Sequence, residues 1–301
     1  MPTDALESIL YRELSIVSAK EIIDVASLLL RELVNFATNA LIRCATSLPG
    51  KIDEDVALLA LYRHTIEMTD GIEVLISQCC PVPAIPALRS SFEALLAIEY
   101  IIENEKDYVQ RSLSWLVGYV HQRLAMYERL DPSTNRGKHF AEVFKNDLVA
   151  SKLELPPISD VQNAIDNLQS MLTKPHLQPI EAEFSRHKRP NWYQLFGGPQ
   201  KLYDLALYLN KGAQYDVLYR DWSRLSHSQD LLPFLSRNFQ GEPAIGILRN
   251  PKDIQQVTSF AANFSLSATR LIIGKIRPSE NLSNWYKGEV MANYKFITGI
   301  E

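Results

Sequence analysis

Ile22-Ile-Asp-Val-Ala-Ser-Leu-Leu-Leu-Arg-Glu-Leu-Val-Asn-Phe36-Ala-Thr-Asn-Ala-Leu41 decides the fold class. Ile22, Val25, Ala26, Leu29, Leu33, Phe36, Ala37, Ala40 and Leu41 recur every three or four positions, which draws one broad apolar stripe on a helix. The surrounding stretch, 4–47, contains neither Pro nor Gly. It reads as one long helix, or as two with a break near Ser15–Ser18, closed by Pro49-Gly50. A helix beyond about 25 residues either packs partly on a second subunit or wraps its own domain; a homodimer is the expectation carried forward.

The same periodicity continues downstream. Helices are predicted over about 53–78, 84–103 and 105–130, with Val109, Leu113, Leu116, Val120 and Leu124 forming the stripe of the third. Cys79-Cys80-Pro-Val-Pro83 ends the first of these, and Pro86 falls in the first turn of the second, where a missing N–H costs little. Asp131-Pro-Ser-Thr-Asn-Arg-Gly137 is a loop. Two moderate helices follow near 138–152 and 158–172, then a polar stretch punctuated by Pro175, Pro179 and Pro190. Further helices are expected at 200–210, 213–230 and 253–276, with a short extended piece within Ala244–Leu248. The expected architecture is an all-α multi-helix bundle with a long N-terminal helix and an irregular inserted segment. Its parts are 1–50 (N-terminal helix or pair), 51–130 (bundle), 131–198 (insertion), 199–278 (bundle) and 279–301 (aromatic tail, packed on the bundle or in an interface).

Composition narrows the function. With 301 residues, 46% apolar and 22% charged, the chain has ordinary globular balance. A net charge of −4 disfavours an extensive nucleic-acid-coating surface but leaves room for a compact site handling one phosphate. Cys44, Cys79 and Cys80 form neither a disulfide framework nor a CxxC pair. The histidines show no HExxH spacing, and the carboxylates Glu67, Asp70, Glu73 and Glu93 lack a Glu-x2-His partner, so neither metal nor cofactor is expected. The run Val25–Leu30 is broken by Arg31-Glu32, short of a membrane span. A cytoplasmic protein without membrane contact is expected.

Two successive helices each carry Arg-x3-Glu on one face, Arg63/Glu67 and Arg89/Glu93. The helix around Arg89 is apolar almost all round, so its charges must be paired where they are enclosed. The Arg-before-Glu order is the poorer one for an exposed pair. The four residues are therefore expected to meet in one polar network, which is either structural or a support for a site.

The chemistry-bearing stretch is Tyr215–Asp230. At about 100° per residue, Tyr215, Leu218, Tyr219, Trp222 and Leu225 fall on one side and Asp216, Arg220, Ser223, Arg224 and His227 on the other. Arg220 and His227 are seven positions apart, differing by about 20° around a regular axis. A histidine can take and return a proton, and a nearby guanidinium stabilises a developing oxyanion. Together they suit attack of a ribose 2′-hydroxyl on its own phosphate without metal, with Ser223 donating a hydrogen bond to a non-bridging oxygen. A two-fold mate would supply a second imidazole.

Here the segment resembles the HEPN superfamily of helical ribonucleases and toxins, whose signature is Arg, usually a polar residue, and His after four to six intervening positions. Arg220-Asp221 with six residues before His227 fits at the long end. Asn is more usual where Asp221 stands, and Asp230 occupies the place of a Tyr found in some modified toxins. Arg63-x3-Glu67, Arg89-Ser-Ser-Phe-Glu93 and Tyr219-Arg-Asp-Trp-Ser-x3-His227 also resemble an uncharacterised bacterial all-helical family, over about 55–103 and 200–275. The HEPN resemblance implies a metal-independent endoribonuclease of toxin or phage-defence type, cleaving RNA at a dimer cleft, with an antitoxin or defence-complex subunit as partner protein. The resemblance carries Arg220 and His227 as catalytic residues. Arg186, Lys188 and Arg189, a basic run beside Pro190, are candidates for RNA contact, although such a run is commonly just a solvated loop. The competing reading is a non-catalytic helical interaction or sensor module.

Overall fold

The computed structural model describes residues 12–48, 52–152, 160–221, 235–237, 240–241, 243–280 and 290–299. The chain is all-α. In order it runs α1 (Arg12–Ser18), α2 (Lys20–Ser47), α3 (Ile52–Ser77), α4 (Pro81–Ile102), α5 (Tyr108–Leu130), α6 (Asn135–Asn146), α7 (Val161–Leu172), α8 (Gln178–Ser185), α9 (Leu202–Tyr208) and α10 (Gly212–Gln214). A π-helix continues α10 over Tyr215–Asp221. β1 (Leu235–Arg237) and β2 (Pro243–Ile245) pair antiparallel, with Ser236 opposite Ala244. Then come α11 (Ile254–Ile276) and α12 (Met291–Thr298). The chain divides into two compact units, one formed by Met1–Ile52, Leu58–Glu103 and Ala206–Glu301, the other by Asp53–Ala57 and Asn104–Leu205.

The first unit is built on α2, α4 and α11. Leu29, Leu30 and Leu33 of α2, Phe92, Leu95 and Leu96 of α4, and Ala261, Ala262 and Ile272 of α11 are buried. Phe92 and Phe264 meet with ring centroids 5.4 Å apart. The N-terminal helix breaks at Ala19, whose ψ of 22° leaves the helical range, one residue beyond the interval expected. The buried stripe of α2 is centred on Ile23, Ala26, Leu30, Leu33, Ala37 and Cys44, so Ile22, Val25, Phe36 and Leu41 lie at its margin. By length and hydropathy α2 is able to cross a membrane, but its apolar stripe packs against α11 within this unit.

Cys79 adopts a left-handed φ of 57° and ends α3. Pro81 occupies the first position of α4, which starts before Ala84, the expected residue. Pro86 therefore sits inside the helix rather than in its first turn. The described end of the tail, 290–299, packs on the first unit: Val290 and Ile297 are buried, Gln255 Nε2 donates to Ile297 O at 3.1 Å, and Tyr294 donates to Asn263 of α11. Tyr62 donates to Thr269 Oγ1 at 2.9 Å in the core, since that hydroxyl gives its own proton to Ser265 O. Burial pushes the Tyr62 phenol well above its ordinary range.

The second unit is organised around α5. Leu113, Leu116, Val117, Val120 and Leu124 pack with Ile165 of α7, Leu177 and Ile180 of α8 and Leu195. Sequence periodicity assigns 105–130 to the bundle and opens the insertion at 131. The division instead gives α5 to the second unit, because its stripe is buried against α7 and α8. Asp53 receives Lys174 Nζ at 2.8 Å and His176 Nε2 at 3.0 Å, and the hydrogen bond from Lys174 holds its carboxyl below the usual range. Thr134 caps α6 by accepting from Gly137 N at 2.9 Å.

Candidate functional site

Three elements of the first unit bring polar side chains together. On α3, His64 Nε2 lies 2.7 Å from Ser90 Oγ of α4. On α4, Arg89 and Glu93 are one turn apart, with Arg89 Nη2 at 3.8 Å from Glu93 Oε1. From the π-helix, Tyr219 lays its ring under the Arg89 guanidinium, 3.9 Å from carbon to centroid, and its hydroxyl bonds the Glu93 carboxylate. Tyr215 stacks on Tyr219 at 4.7 Å and 19°.

Burial raises the Glu93 carboxyl above its ordinary value, and Arg89, the Tyr219 hydroxyl and His64 each pull it back. Arg89 is largely enclosed, its side chain 17% exposed. That burial is tolerable because the guanidinium has both a carboxylate and an aromatic face. The cluster thus fixes the side chain of Tyr219, immediately before Arg220.

Arg63 and Glu67 do not join this cluster. They pair with each other at 3.0 Å on the outer face of α3, 68% and 54% exposed. The reason is rotational. The buried positions of α3 include Leu58, Tyr62, Thr65, Thr69, Ile72 and Ile76, so positions 63 and 67 fall away from the core and 64 at its edge. His64 supplies the α3 contribution in their place. That signal was available from helical phase alone.

The π-helix also alters the spacing argument. A seven-residue interval equals about two turns only at 3.6 residues per turn. Over Tyr215–Asp221 the chain follows the wider i→i+5 pattern, and the rest of the interval from Arg220 to His227 lies outside the described residues. Arg220 and Asp221 lie in the π-helix, and their side chains are outside the described residues, as are Ser223 and His227.

The basic run lies after α8 in the second unit, exposed along 186–189. Arg186 pairs with Glu183 at 2.9 Å and His187 with the same carboxylate at 3.2 Å. The hydrogen bond from His187, foremost, holds the Glu183 carboxyl below its ordinary value. Lys188 and Arg189 show no carboxylate partner among the described residues, and Arg189 takes a left-handed φ of 57°. Among the described residues no group of three or more His, Cys, Asp or Glu is placed to hold a metal. Burial raises the thiols of Cys44 and Cys79, which keeps them protonated and unreactive.

A family model described as a family of unknown function matches residues 55–242, which includes α3 from its fourth residue, α4, the whole second unit beyond its first two residues, and the π-helix. No curated protein and no solved structure matches the chain.

Proposed function

The chain belongs to the DUF5677 family, whose function is unknown, and we propose, from its own residues, that it is a metal-independent endoribonuclease of bacterial toxin or phage-defence type, cytoplasmic and homodimeric. The observation that carries the reading is the π-helix at Tyr215–Asp221, held through Tyr219 by the Arg89–Glu93 pair. Single-turn π-segments are rare and concentrate at functional sites. Here one begins the stretch that contains Arg220 and His227.

In this reading His227 accepts the proton of a ribose 2′-hydroxyl, whose oxygen attacks the adjacent phosphorus. Arg220 stabilises the charge on the phosphorane, and Ser223 donates to a non-bridging oxygen. The imidazole of the second subunit protonates the departing 5′-oxygen. The products are a 2′,3′-cyclic phosphate and a free 5′-hydroxyl. Arg186, Lys188 and Arg189 contribute RNA contacts, and an antitoxin or defence-complex subunit is the partner protein.

The test is incubation of RNA with wild type and His227→Ala in EDTA, followed by analysis of fragment ends. Cyclic-phosphate ends produced by the wild type alone are expected. Equal cleavage by both proteins, or none by either, rejects the assignment. The second reading, a non-catalytic interaction or sensor module, draws support from the mutual satisfaction of Arg89, Glu93 and Tyr219, which is what a purely structural network requires.

A further inference from the structure

The second unit carries an open cavity of about 850 Å³ between α5, α6 and the segment that leads from α8 to Trp192. Its volume falls in the range of about 300–1,000 Å³ typical of small-molecule sites. Two chemistries share its wall. Trp192 and Phe140 offer aromatic surface, while Arg129, Arg136, Arg189 and His139 bring positive or protonatable groups. The carboxylate on the wall is Glu128, and it is engaged by Arg136 at 3.0 Å. Arg129 and Arg189 have no carboxylate partner among the described residues, so two guanidinium groups border the same space uncompensated.

Arg189 lines the cavity from a left-handed conformation, φ 57°. Trp192 is seated directly over Gly118 of α5: a Cβ on that glycine would lie 3.0 Å from Trp192 Cβ. The glycine thereby lets the chain at Trp192 approach α5 closely.

We propose that this cavity binds a nucleotide, with the base against Trp192 and the phosphates between Arg129 and Arg189. Guanidinium forks match phosphate oxygens in planar, bidentate geometry, and an indole face accepts any base by stacking. The site belongs to the second unit and shares Arg189 with the RNA contacts proposed above but uses neither Arg220 nor His227, so nucleotide binding by the His227→Ala protein tells failure of this reading from failure of the ribonuclease reading.

Calorimetric titration of the full-length protein in EDTA tests it, with AMP, ADP, ATP, GTP, UTP, adenosine and inorganic tripolyphosphate as probes. Affinity is expected to rise with each phosphate. Adenosine and tripolyphosphate are each expected to bind at least about tenfold more weakly than ATP, a gap of about 1.4 kcal/mol. Arg129→Ala, Arg189→Ala and Trp192→Leu should each weaken ATP at least about tenfold, with Arg189→Lys recovering part of the loss and His227→Ala changing nothing. Far-UV circular dichroism verifies that each variant is folded. Absence of binding by every nucleotide at millimolar concentration overturns the proposal. So does tripolyphosphate equal to ATP, binding indifferent to the arginine variants, or tighter capture of an RNA oligonucleotide through the same arginines.

Discussion

Replacing Gly137 by alanine puts the construction of the second unit to a direct test. Gly137 is buried at the third position of α6, where its N–H reaches the Thr134 cap. A Cβ there would sit 1.8 Å from Asp131 O, 2.5 Å from Asp131 C and 3.1 Å from Pro132 N. All three are backbone atoms, so no side chain can rotate aside. The loop must retreat by more than about 1 Å to restore ordinary contact distances. Such overpacking costs about 1–3 kcal/mol, and loss of the Thr134 cap adds about 1. The better helix propensity of alanine returns about 1.

The net expectation for Gly137→Ala is a destabilisation of about 1–3 kcal/mol, which for a unit of about 100 residues lowers the melting temperature by about 4 °C or more per kcal/mol. Gly71→Ala and Gly274→Ala serve as matched controls. Both glycines lie inside helices, with nothing within 4 Å of an added Cβ, so each should stabilise by about 0.5–1 kcal/mol. Urea and thermal unfolding, followed by tryptophan fluorescence and circular dichroism, measure all three. A Gly137→Ala protein as stable as wild type would refute the steric reasoning. Because α6 carries Arg136, His139 and Phe140, the folded fraction should also lose ATP affinity.

Two further outcomes follow from electrostatics. Asp53 has a depressed carboxyl pKa, so the stability it contributes is present above the ordinary aspartate range and is lost as pH falls through the lowered value. Asp53→Asn should therefore lower the unfolding free energy measured in urea at pH 7, by less than about 1 kcal/mol for so accessible a pair, and converge with wild type in strong acid; a constant gap would contradict the assignment. Tyr219→Phe removes a hydrogen bond that lowers the already raised Glu93 carboxyl. Glu93 should then titrate still higher, read by carboxyl ¹³C NMR, and an unchanged titration would mean that the phenol does not act on Glu93.

Much of the architecture was legible because it depends on apolar spacing. The break between α1 and α2, the span of α3 and the all-round burial of α4 follow from stripes that recur every three or four residues. Boundaries governed by turn chemistry were less readable: the left-handed Cys79 let α4 begin at Pro81. The polar cluster was half legible. Arg89 and Glu93 stood out as charges in an apolar helix, whereas the partner from α3 had to be chosen by rotational phase, and that phase selects His64 over Arg63 and Glu67. Tyr219 reads as a core aromatic from its spacing, and only the tertiary arrangement reveals the guanidinium on its face. Regular α-periodicity also conceals the π-helix, because one added residue per turn leaves no mark in composition.

The close seating of Trp192 on Gly118 carries an evolutionary consequence. The nearest atom to an added methyl group is Trp192 Cβ, which every residue but glycine possesses, so the resistance comes from the course of the chain at 192 and not from the breadth of the ring. Exchanging the indole for a slimmer side chain therefore does not release position 118; alanine there waits on a shift of a few tenths of an ångström in the segment that carries residue 192, whatever its side chain.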